Sequence, residues 1–358
     1  MRVVIASGGT GGHFYPGYAL AKALRVQGHQ VLFVLRTQDP AGELLAAEDL
    51  PFIELGLRGL SRTPSSDWFK TGFRLLSSLR VCFHALRAWR PAVVVGMGGY
   101  LTVPLAAAAR LCQIPVVLHE SNSVLGLGNF LCRPFASALA LGLPLRGGLP
   151  TGAALTGTPI REELWASGQA RPARERLGLD PGGTTLLVFG GSQGARAINT
   201  TVPQALAKTP LQVLHLAGAM DADSVRQAYA QSGTSAVVLP YLKEMHLAYA
   251  AADLVLCRSG ASTLAELAAQ AKPALLIPYP AATAGHQEIN ARVLEAVGAA
   301  EVMLQRDMTP ESLAQRLSAL ADPERLAGMR QAYGRLELPS PKDSVEKLAG
   351  LVAEVARR

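Results

Sequence analysis

The sequence predicts an α/β protein with two similar domains, each a parallel sheet of βαβ units. Three observations support this fold class. The chain has 358 residues, enough for two domains of about 150 residues. Short aliphatic segments alternate with segments of helical periodicity. The same opening occurs twice, since RVVIASGGTGGH begins at residue 2 and TLLVFGGSQGAR at residue 185, each a strand, a glycine turn and a helix start.

The predicted strands are mostly uninterrupted by polar residues, which is typical of parallel strands buried on both faces. The first series lies at 3–6, 30–35, 92–95, 116–118 and 138–141. The second series lies at 185–189, 213–216, 236–239, 254–257 and 274–277. Helical patterns fall between them, for example at 18–27, 195–207 and 263–271. The domain joint is expected in the turn-rich segment 147–159, and a last helix at 344–357.

The composition is that of a folded protein with a positive charge. Hydrophobic residues make up 49% and charged residues 17% of the chain, which excludes a disordered protein. The net charge of +7 favours anionic partners such as phosphates, nucleotides or an acidic membrane surface. Aromatic residues make up only 6%, which argues against a nucleic-acid-binding protein. The four cysteines form no CxxC pair, so we expect reduced thiols without a zinc site.

Two apolar segments are candidate membrane or export signals, and the sequence argues against both. Residues 91–109 carry no charge but contain three glycines and two prolines, so we predict a buried strand, a glycine loop and an alanine-rich helix. The apolar run at 3–6 turns directly into glycines, so no signal peptide is expected.

The first glycine loop, GGTGGH at 8–13, follows a predicted strand and begins a helix. Its backbone N–H groups and the positive helix end suit an anion, although a tight structural turn is the alternative. The spacing matches neither a Walker loop nor GxGxxG. His13 lies where open α/β sheets bind ligands, so it is a candidate general base. A helix-capping or core histidine is the alternative.

Two further motifs, GGY at 98–100 and HESN at 119–122, follow predicted strands and are expected at the same crevice. Glu120 is a candidate for orienting a base, and Asn122 for binding hydroxyl groups. Ordinary turn chemistry and a local asparagine hydrogen bond are the alternatives.

The second domain carries three motifs. The loop GGSQGAR at 190–196 suits a phosphate or a sugar, or is a structural turn. Segment 257–266 joins a strand end to a helix start with small side chains, which suits a diphosphate. Glu266 has two acceptor oxygens for two ribose hydroxyls, but Thr263-x-x-Glu266 is equally a capping box. The motif HQExN at 286–290 is a weak candidate for supplying amides to a sugar.

Residues 67–90 form a basic amphipathic segment with apolar residues at helical spacing. Five basic residues lie between the apolar ones. Such a helix can lie in a membrane interface and be attracted by anionic lipid. A core-packed helix with a solvated basic face is the alternative.

The motifs occur in one order: GGTGGH followed by PG, GMGGY, HExN, GxPxR, GGSQGAR, RSGASTxxE and HQxxNA. This ordered set resembles the bacterial MurG family over nearly the whole chain. Those enzymes are undecaprenyl-diphospho-muramoylpentapeptide N-acetylglucosaminyltransferases, which make lipid II of peptidoglycan. The resemblance implies a B-type glycosyltransferase fold, in which two Rossmann-like domains with parallel sheets face a cleft.

The resemblance also implies a domain organisation, substrates and a location. An acceptor- and membrane-facing domain would span 1–157, with the final helix 342–358 returning to it, and a UDP-sugar-binding domain would span 158–341. UDP-N-acetylglucosamine would be the donor and lipid I the acceptor, and the C4 hydroxyl of the muramoyl sugar would receive the sugar with inversion. The protein would be peripheral, on the cytoplasmic face of the bacterial membrane, bound to its anionic surface.

Family roles transfer to matching positions of this sequence. His13 and Glu120 would be catalytic. The acceptor would be contacted by Thr10, His13, Tyr100 and Asn122. The donor would be bound by Thr10, Gly11, Gly12, Arg161, Ser192, Leu242, Ser259, Gly260, Ser262, Thr263, Glu266, Gln287 and Glu288. The membrane would be contacted by Trp68, Phe69, Phe73, Leu76, Leu79, Phe83 and Trp89.

No DxD-type metal motif is obvious, and the glycine loops, helix N-termini and Arg161 can stabilise a leaving diphosphate. We therefore expect no tightly bound metal and no other cofactor. Two other functions stay open: a related glycosyltransferase with another lipid acceptor such as diacylglycerol, and a non-catalytic nucleotide-sugar binder. A nicotinamide dehydrogenase is excluded by the loop spacing.

Overall fold

The structure is a computed structural model, which describes residues 1–9, 11–57, 67–191, 193–207 and 209–358, with the backbone alone for 67–73. The strands are β1 (Arg2–Ala6), β2 (Gln30–Arg36), β3 (Phe52–Leu55), β4 (Val93–Gly96), β5 (Val116–Glu120), β6 (Ala138–Leu141), β7 (Ala153–Leu155), β8 (Thr185–Phe189), β9 (Gln212–Leu216), β10 (Ala236–Leu239), β11 (Leu254–Cys257), β12 (Ala274–Leu276) and β13 (Ala300–Val302). The helices are α1 (Gly11–Val26), α2 (Ala41–Ala47), α3 (Asp67–Trp89), α4 (Thr102–Leu111), α5 (Leu127–Cys132), α6 (Ala170–Arg176), α7 (Arg196–Ala205), α8 (Ala222–Ser232), α9 (Met245–Ala251), α10 (Ala261–Ala269), α11 (His286–Val297), α12 (Pro310–Leu320), α13 (Pro323–Ala332) and α14 (Pro341–Val355).

The chain divides into two compact units, one of Met1–Glu162 with Leu338–Arg358 and the other of Glu163–Glu337. These divisions lie within a few residues of the sequence-based boundaries, and they leave Arg161 in the first unit. Each unit is built on its own parallel sheet, as the sequence predicts.

The first unit has seven parallel strands in the order β3-β2-β1-β4-β5-β6-β7. Side chains of alternate residues point to opposite faces, and each face is covered by helices. α1, α2 and α14 cover one face, and α3, α4 and α5 cover the other. The chain order reverses between β1 and β4, so the loops that follow these two strands border a crevice at the carboxyl edge.

The second unit has six parallel strands in the order β10-β9-β8-β11-β12-β13. Its order reverses between β8 and β11, which places the loops after these strands at the equivalent point of the second sheet.

All ten predicted strands are confirmed, with ends shifted by at most two residues, whereas three strands were missed. The missed strands are β3, β7 and β13, and each is an edge strand. Central strands such as β4 are buried throughout, but β3 and β13 are only partly buried and carry a glutamate. A glutamate interrupts the aliphatic pattern in β3 and β13, and β7 has only three residues, whereas the edge strand β10 keeps the pattern and was predicted.

The uncharged stretch 91–109 forms β4, a glycine loop and most of α4, as predicted. Among the described residues, no helix is long and apolar enough to cross a membrane.

Two buried histidines make the stability depend on pH. Burial lowers the pKa of His215 from 6.5 to about 3, and burial also lowers the pKa of His119. His215 contacts the Tyr229 hydroxyl through Nδ1 and Asn199 Oδ1 through Nε2, at 3.0 and 3.1 Å. The neutral ring is therefore the folded form. Its stabilising contribution is complete above pH 6.5 and is lost as the pH falls towards 3, because the unfolded chain takes up the proton first.

We expect the wild type to lose about 2 kcal/mol more unfolding free energy than His215→Gln between about pH 7 and pH 5. Urea unfolding of both proteins at each pH measures this, since carboxylate contributions cancel in the comparison. Parallel pH profiles would contradict the prediction.

Candidate functional site

The residues that the sequence singles out follow the carboxyl ends of central strands in both sheets. The first loop cluster comprises residues 7–9, 11–13, 97–101 and 119–129 of the first unit. The second loop cluster comprises residues 190–191, 193–195, 258–260 and 277–290 of the second unit. Thr10 and Ser192 lie outside the described residues. Open α/β sheets bind ligands at this edge.

His13 is the third residue of α1 and lies half-buried beside the loop after β4. Gly98 has a φ of +91°, and a Cβ added there would lie 3.1 Å from Cε1 of the imidazole. Glycine therefore lets the ring lie against the loop backbone. His13 itself is half-buried, whereas Gly11 and Gly12 before it are exposed, so it is not a fully buried core residue.

Tyr100 belongs to the same cluster and is half-buried. A Cβ added to Gly9 would lie 3.8 Å from the Tyr100 hydroxyl. Burial raises the pKa of Tyr100, so the hydroxyl stays protonated and can donate a hydrogen bond. This is compatible with the predicted acceptor contact.

Asp39 was missed by the sequence analysis and limits what the first glycine loop can bind. Its Oδ2 accepts a hydrogen bond of 2.6 Å from the Gly9 N–H and also contacts Nε of Arg36 at 3.3 Å. A carboxylate at this N–H occupies a donor and repels an anion. The loop is therefore less suited to a phosphate than its glycines suggest. The sequence signal that could have identified Asp39 is an acidic residue shortly after the predicted strand at 30–35.

Glu120 is buried at the end of β5, and its carboxylate holds together the loop that follows this strand. Its Oε1 accepts hydrogen bonds from the backbone and the side-chain amide of Asn122, at 3.1 and 2.9 Å. Its Oε2 accepts from the Gly126 N–H at 2.8 Å and from Nδ2 of Asn129 at 2.9 Å. The four donors hold the carboxylate within its own loop and the start of α5, and the catalytic role of Glu120 stays a prediction. The local hydrogen bond expected as the alternative for Asn122 is present.

His119 lies behind this loop and is fully buried. Its Nε2 lies 3.0 Å from the carbonyl oxygen of Gly157, and its Nδ1 lies 3.4 Å from the Ser121 hydroxyl. Since burial lowers its pKa, the neutral ring donates to Gly157 and supports the loop without taking up a proton.

Arg161 lies over the ring of Tyr15, with 4.5 Å between its guanidinium carbon and the ring centroid. Tyr15 is on the first turns of α1 and also borders Gly11, since a Cβ there would lie 3.5 Å from its ring. The cation–π contact thus places Arg161 beside the start of α1. The GxPxR motif gave no sign of this partner.

The loop after β8 is closely packed against the loop after β9. Gly194 has a φ of +76°, and a Cβ added there would overlap the carbonyl oxygen of Ala217. Asn199 of α7 donates to that same oxygen at 2.8 Å. Glycine is therefore required here for packing as well as for conformation.

The start of α10 tests the capping-box interpretation of Glu266. The residue preceding the helix is Gly260, and Thr263 is the third helical residue. The capping-box interpretation is therefore wrong, because a cap must precede the helix. The early N–H groups of α10, at Ala261, Ser262 and Thr263, point towards the carboxyl edge, where they suit an anion.

Glu266 is half-buried one turn further along α10. Its Oε2 accepts a hydrogen bond of 2.8 Å from the hydroxyl of Tyr249 on α9. Leu242, the predicted uracil contact, is half-buried in the segment between β10 and α9, at the same edge of the sheet.

The start of α11 contacts the loop after β11. The Ser259 hydroxyl donates to the carbonyl oxygen of Gln287 at 2.8 Å, and Oε1 of Gln287 accepts from the Tyr279 N–H at 2.9 Å. Glu288 pairs with Arg292 on the exposed side of α11. Missed by the sequence analysis, Arg258 is buried and donates to the carbonyls of Ile277 and Pro278. It ties the loops after β11 and β12 together.

One DxD string is present after all, at 221–223. Asp221 accepts a hydrogen bond of 2.8 Å from Asn199, and Asp223 pairs with Arg226 at 2.5 Å. Within the part of the chain that the structure describes, no group of three or more His, Cys, Asp or Glu side chains is arranged to hold a metal ion.

The amphipathic helix α3 divides into two parts. Leu79, Phe83 and Trp89 pack against the core of the first unit, so the core-packing alternative holds for these three. Leu76 is exposed, as are Leu75 and Val81. The side chains of the other predicted membrane contacts, Trp68, Phe69 and Phe73, lie outside the described residues.

Comparison with known proteins places both units in one family. The N-terminal domain model of glycosyltransferase family 28 matches residues 3–141, and its C-terminal domain model matches residues 185–343. A UDP-N-acetylglucosamine--N-acetylmuramyl-(pentapeptide) pyrophosphoryl-undecaprenol N-acetylglucosamine transferase from Elusimicrobium minutum is 36% identical, covering 98% of this chain and 99% of its own. The protein of that name from Alkalilimnicola ehrlichii is 39% identical, covering 100% and 99%.

The chain belongs to the MurG family of glycosyltransferases. The crystal structure of Acinetobacter baumannii MurG superposes with a TM-score of 0.81 at 29% identity, covering 99% of both chains. The glycosyltransferase VinC, solved with dTDP, shares the fold at 15% identity, with a TM-score of 0.69. The predicted B-type glycosyltransferase fold and the predicted family are both confirmed.

Proposed function

We propose that this protein transfers N-acetylglucosamine from UDP-N-acetylglucosamine to the C4 hydroxyl of the muramoyl sugar of lipid I, which gives lipid II. The observation that carries the proposal is the full-length likeness to transferases of that name, at 36% to 39% identity. Both loop clusters lie at the ligand-binding edges of their sheets, which supports it.

In the proposed reaction His13 is the general base. As the C4 oxygen attacks C1 of the donor sugar, its proton passes to the imidazole, the bond from C1 to the diphosphate oxygen breaks, and UDP leaves. Attack on the face opposite the leaving group inverts the configuration and forms a β-1,4 bond. Glu120 keeps its loop in place through its four donors.

In the second unit, the N–H groups at the start of α10 would bind the diphosphate, and Glu266 would accept hydrogen bonds from the ribose hydroxyls. Leu242 would contact uracil, and Gln287 and Glu288 the donor sugar. Arg161 would add positive charge beside the departing diphosphate.

The acceptor assignment is tested by offering UDP-N-acetylglucosamine with a short-chain lipid I analogue or with diacylglycerol. Transfer to the lipid I analogue alone supports the proposal. Transfer to diacylglycerol alone would make the protein a glycosyltransferase of the other class considered, and transfer to neither would favour a nucleotide-sugar binder.

We also propose that turnover needs no tightly bound metal, because helix N-termini and Arg161 supply the positive charge that the leaving diphosphate requires. Turnover is expected to stay within about two-fold after treatment with a chelator. If a metal ion stabilised the departing diphosphate, its removal would lower turnover by far more than two-fold. Complete loss of turnover that Mg²⁺ restores would contradict this.

We further propose a peripheral protein at the cytoplasmic face of the membrane, bound through the exposed apolar residues of α3. The adjacent residues Leu75 and Leu76 are exposed next to Arg74 on this helix, which suits an anionic interface.

Leu76→Glu is expected to lower binding to vesicles of anionic phospholipid by about ten-fold, because a carboxylate would enter the interface and oppose the lipid charge. Vesicle sedimentation measures this. Val26→Glu, at an exposed apolar residue on α1, is the control and should bind as the wild type does. Equal binding by Leu76→Glu and the wild type would contradict the proposal.

A further inference from the structure

Tyr249 is a fully buried residue that contacts two parts of the nucleotide site proposed above. Its hydroxyl donates to Oε2 of Glu266 at 2.8 Å. Its ring makes an edge-to-face contact with Phe189, with the ring centroids 6.2 Å apart and the planes at 86°. Phe189 is the last residue of β8 and directly precedes the second glycine loop. Tyr249 thus joins the base of that loop to the carboxylate on α10.

We propose that Tyr249 is a positioning residue that sets the orientation of the Glu266 carboxylate and thereby the preference for ribose over 2′-deoxyribose. The inference rests on the proposed function, in which Glu266 binds the ribose. No motif in the sequence pointed to Tyr249, since it lies on a different helix from Glu266.

The physical argument concerns the lone pairs of the carboxylate. A carboxylate offers about four acceptor positions on its two oxygens. Tyr249 occupies one position on Oε2, which restricts the rotation of the carboxylate group. Two vicinal hydroxyls can then be bound together, because the glutamate side chain is already ordered before the ligand binds.

The burial of Tyr249 makes this orientation rigid. The edge-to-face contact with Phe189 and full burial restrict the ring, so the hydroxyl cannot follow a rotating carboxylate. The replacement Tyr249→Phe keeps that packing and removes the hydroxyl alone.

The test is the dissociation constant of UDP and of 2′-deoxy-UDP for the wild type, Tyr249→Phe, Glu266→Ala and the double variant, by calorimetry. We expect the wild type to prefer UDP by about ten-fold, in line with a hydrogen bond to a charged group. Tyr249→Phe should lower this preference to about three-fold or less, mainly by weakening UDP binding. In the Glu266→Ala background, Tyr249→Phe should have no further effect on the preference.

Two more variants guard against an effect on folding. Tyr333→Phe removes a buried hydroxyl of the same unit, which donates to the carbonyl oxygen of Lys272, and it should bind both nucleotides as the wild type does. Glu266→Asp shortens the side chain and so moves the carboxylate away from the Tyr249 hydroxyl. In that background, Tyr249→Phe should not change the preference for UDP over 2′-deoxy-UDP.

Three outcomes would overturn the inference. The first is that Tyr249→Phe weakens both nucleotides equally, as a merely structural role predicts, and the second is that it weakens neither; both leave the preference unchanged. An additive effect in the Glu266→Ala background would likewise exclude coupling between the two residues. If the wild type binds no UDP at all, the proposed function itself fails, and the result is distinguishable because it precedes any variant.

Discussion

Replacing His13 with alanine is expected to lower turnover by about 10²–10⁴-fold, the usual contribution of a positioned general base. The imidazole lies at the exposed start of α1, against the glycine loop after β4, where the acceptor is proposed to bind. UDP-N-acetylglucosamine should bind to the variant as it does to the wild type, since the proposed donor contacts of the second unit are unchanged. Steady-state kinetics and calorimetry on the same preparation separate the two effects.

His29→Ala is the matched control for this variant. His29 belongs to the same unit but precedes β2, at the opposite edge of the sheet, where its ring contacts the amino terminus. Its loss should leave turnover unchanged. If His13→Ala turned over at the rate of the wild type, His13 would have no part in the mechanism.

Replacing Glu120 with glutamine is expected to lower the free energy of unfolding by about 3 kcal/mol and to impair turnover as well. Each carboxylate oxygen accepts from two of the four donors. Glutamine carries an NH₂ group in place of one oxygen, so two of the N–H donors would then face another donor. Asn129 is itself buried and cannot turn to water. Chemical unfolding measures the first effect, and kinetics at a temperature where the variant is folded measure the second.

Glu175→Gln provides the comparison, because Glu175 is exposed and its carboxylate pairs with Arg171 of the same helix. It should change the unfolding free energy by less than about 0.5 kcal/mol. Equal stability of Glu120→Gln and the wild type would mean that the loop does not depend on the carboxylate.

Much of the fold could be predicted because central parallel strands are buried on both faces and have a sequence pattern of their own. Val93–Gly96, for example, is uninterrupted and buried throughout. The edge strand Ala300–Val302 contains Glu301, which forms ion pairs with Arg316 and Arg325, and so has no such pattern. The edge strand Ala236–Leu239, by contrast, keeps an uninterrupted aliphatic pattern and was predicted.

The candidate site was predictable to the extent that its residues follow strand ends. His13 and Glu266 could be singled out in this way, but their partners lie elsewhere in the chain. Asp39 reaches the first glycine loop from the end of another strand, and Tyr249 reaches Glu266 from another helix. Sequence spacing also could not choose between a capping box and a ligand contact at Glu266, because the choice depends on the residue at which α10 begins.

The most direct test of the central claim is release of UDP from UDP-N-acetylglucosamine by the purified protein, with and without a short-chain lipid I analogue. The proposed function predicts release that depends on the acceptor and is accompanied by an equal amount of glycosylated product. Binding of the donor with no release in the presence of the acceptor would contradict it.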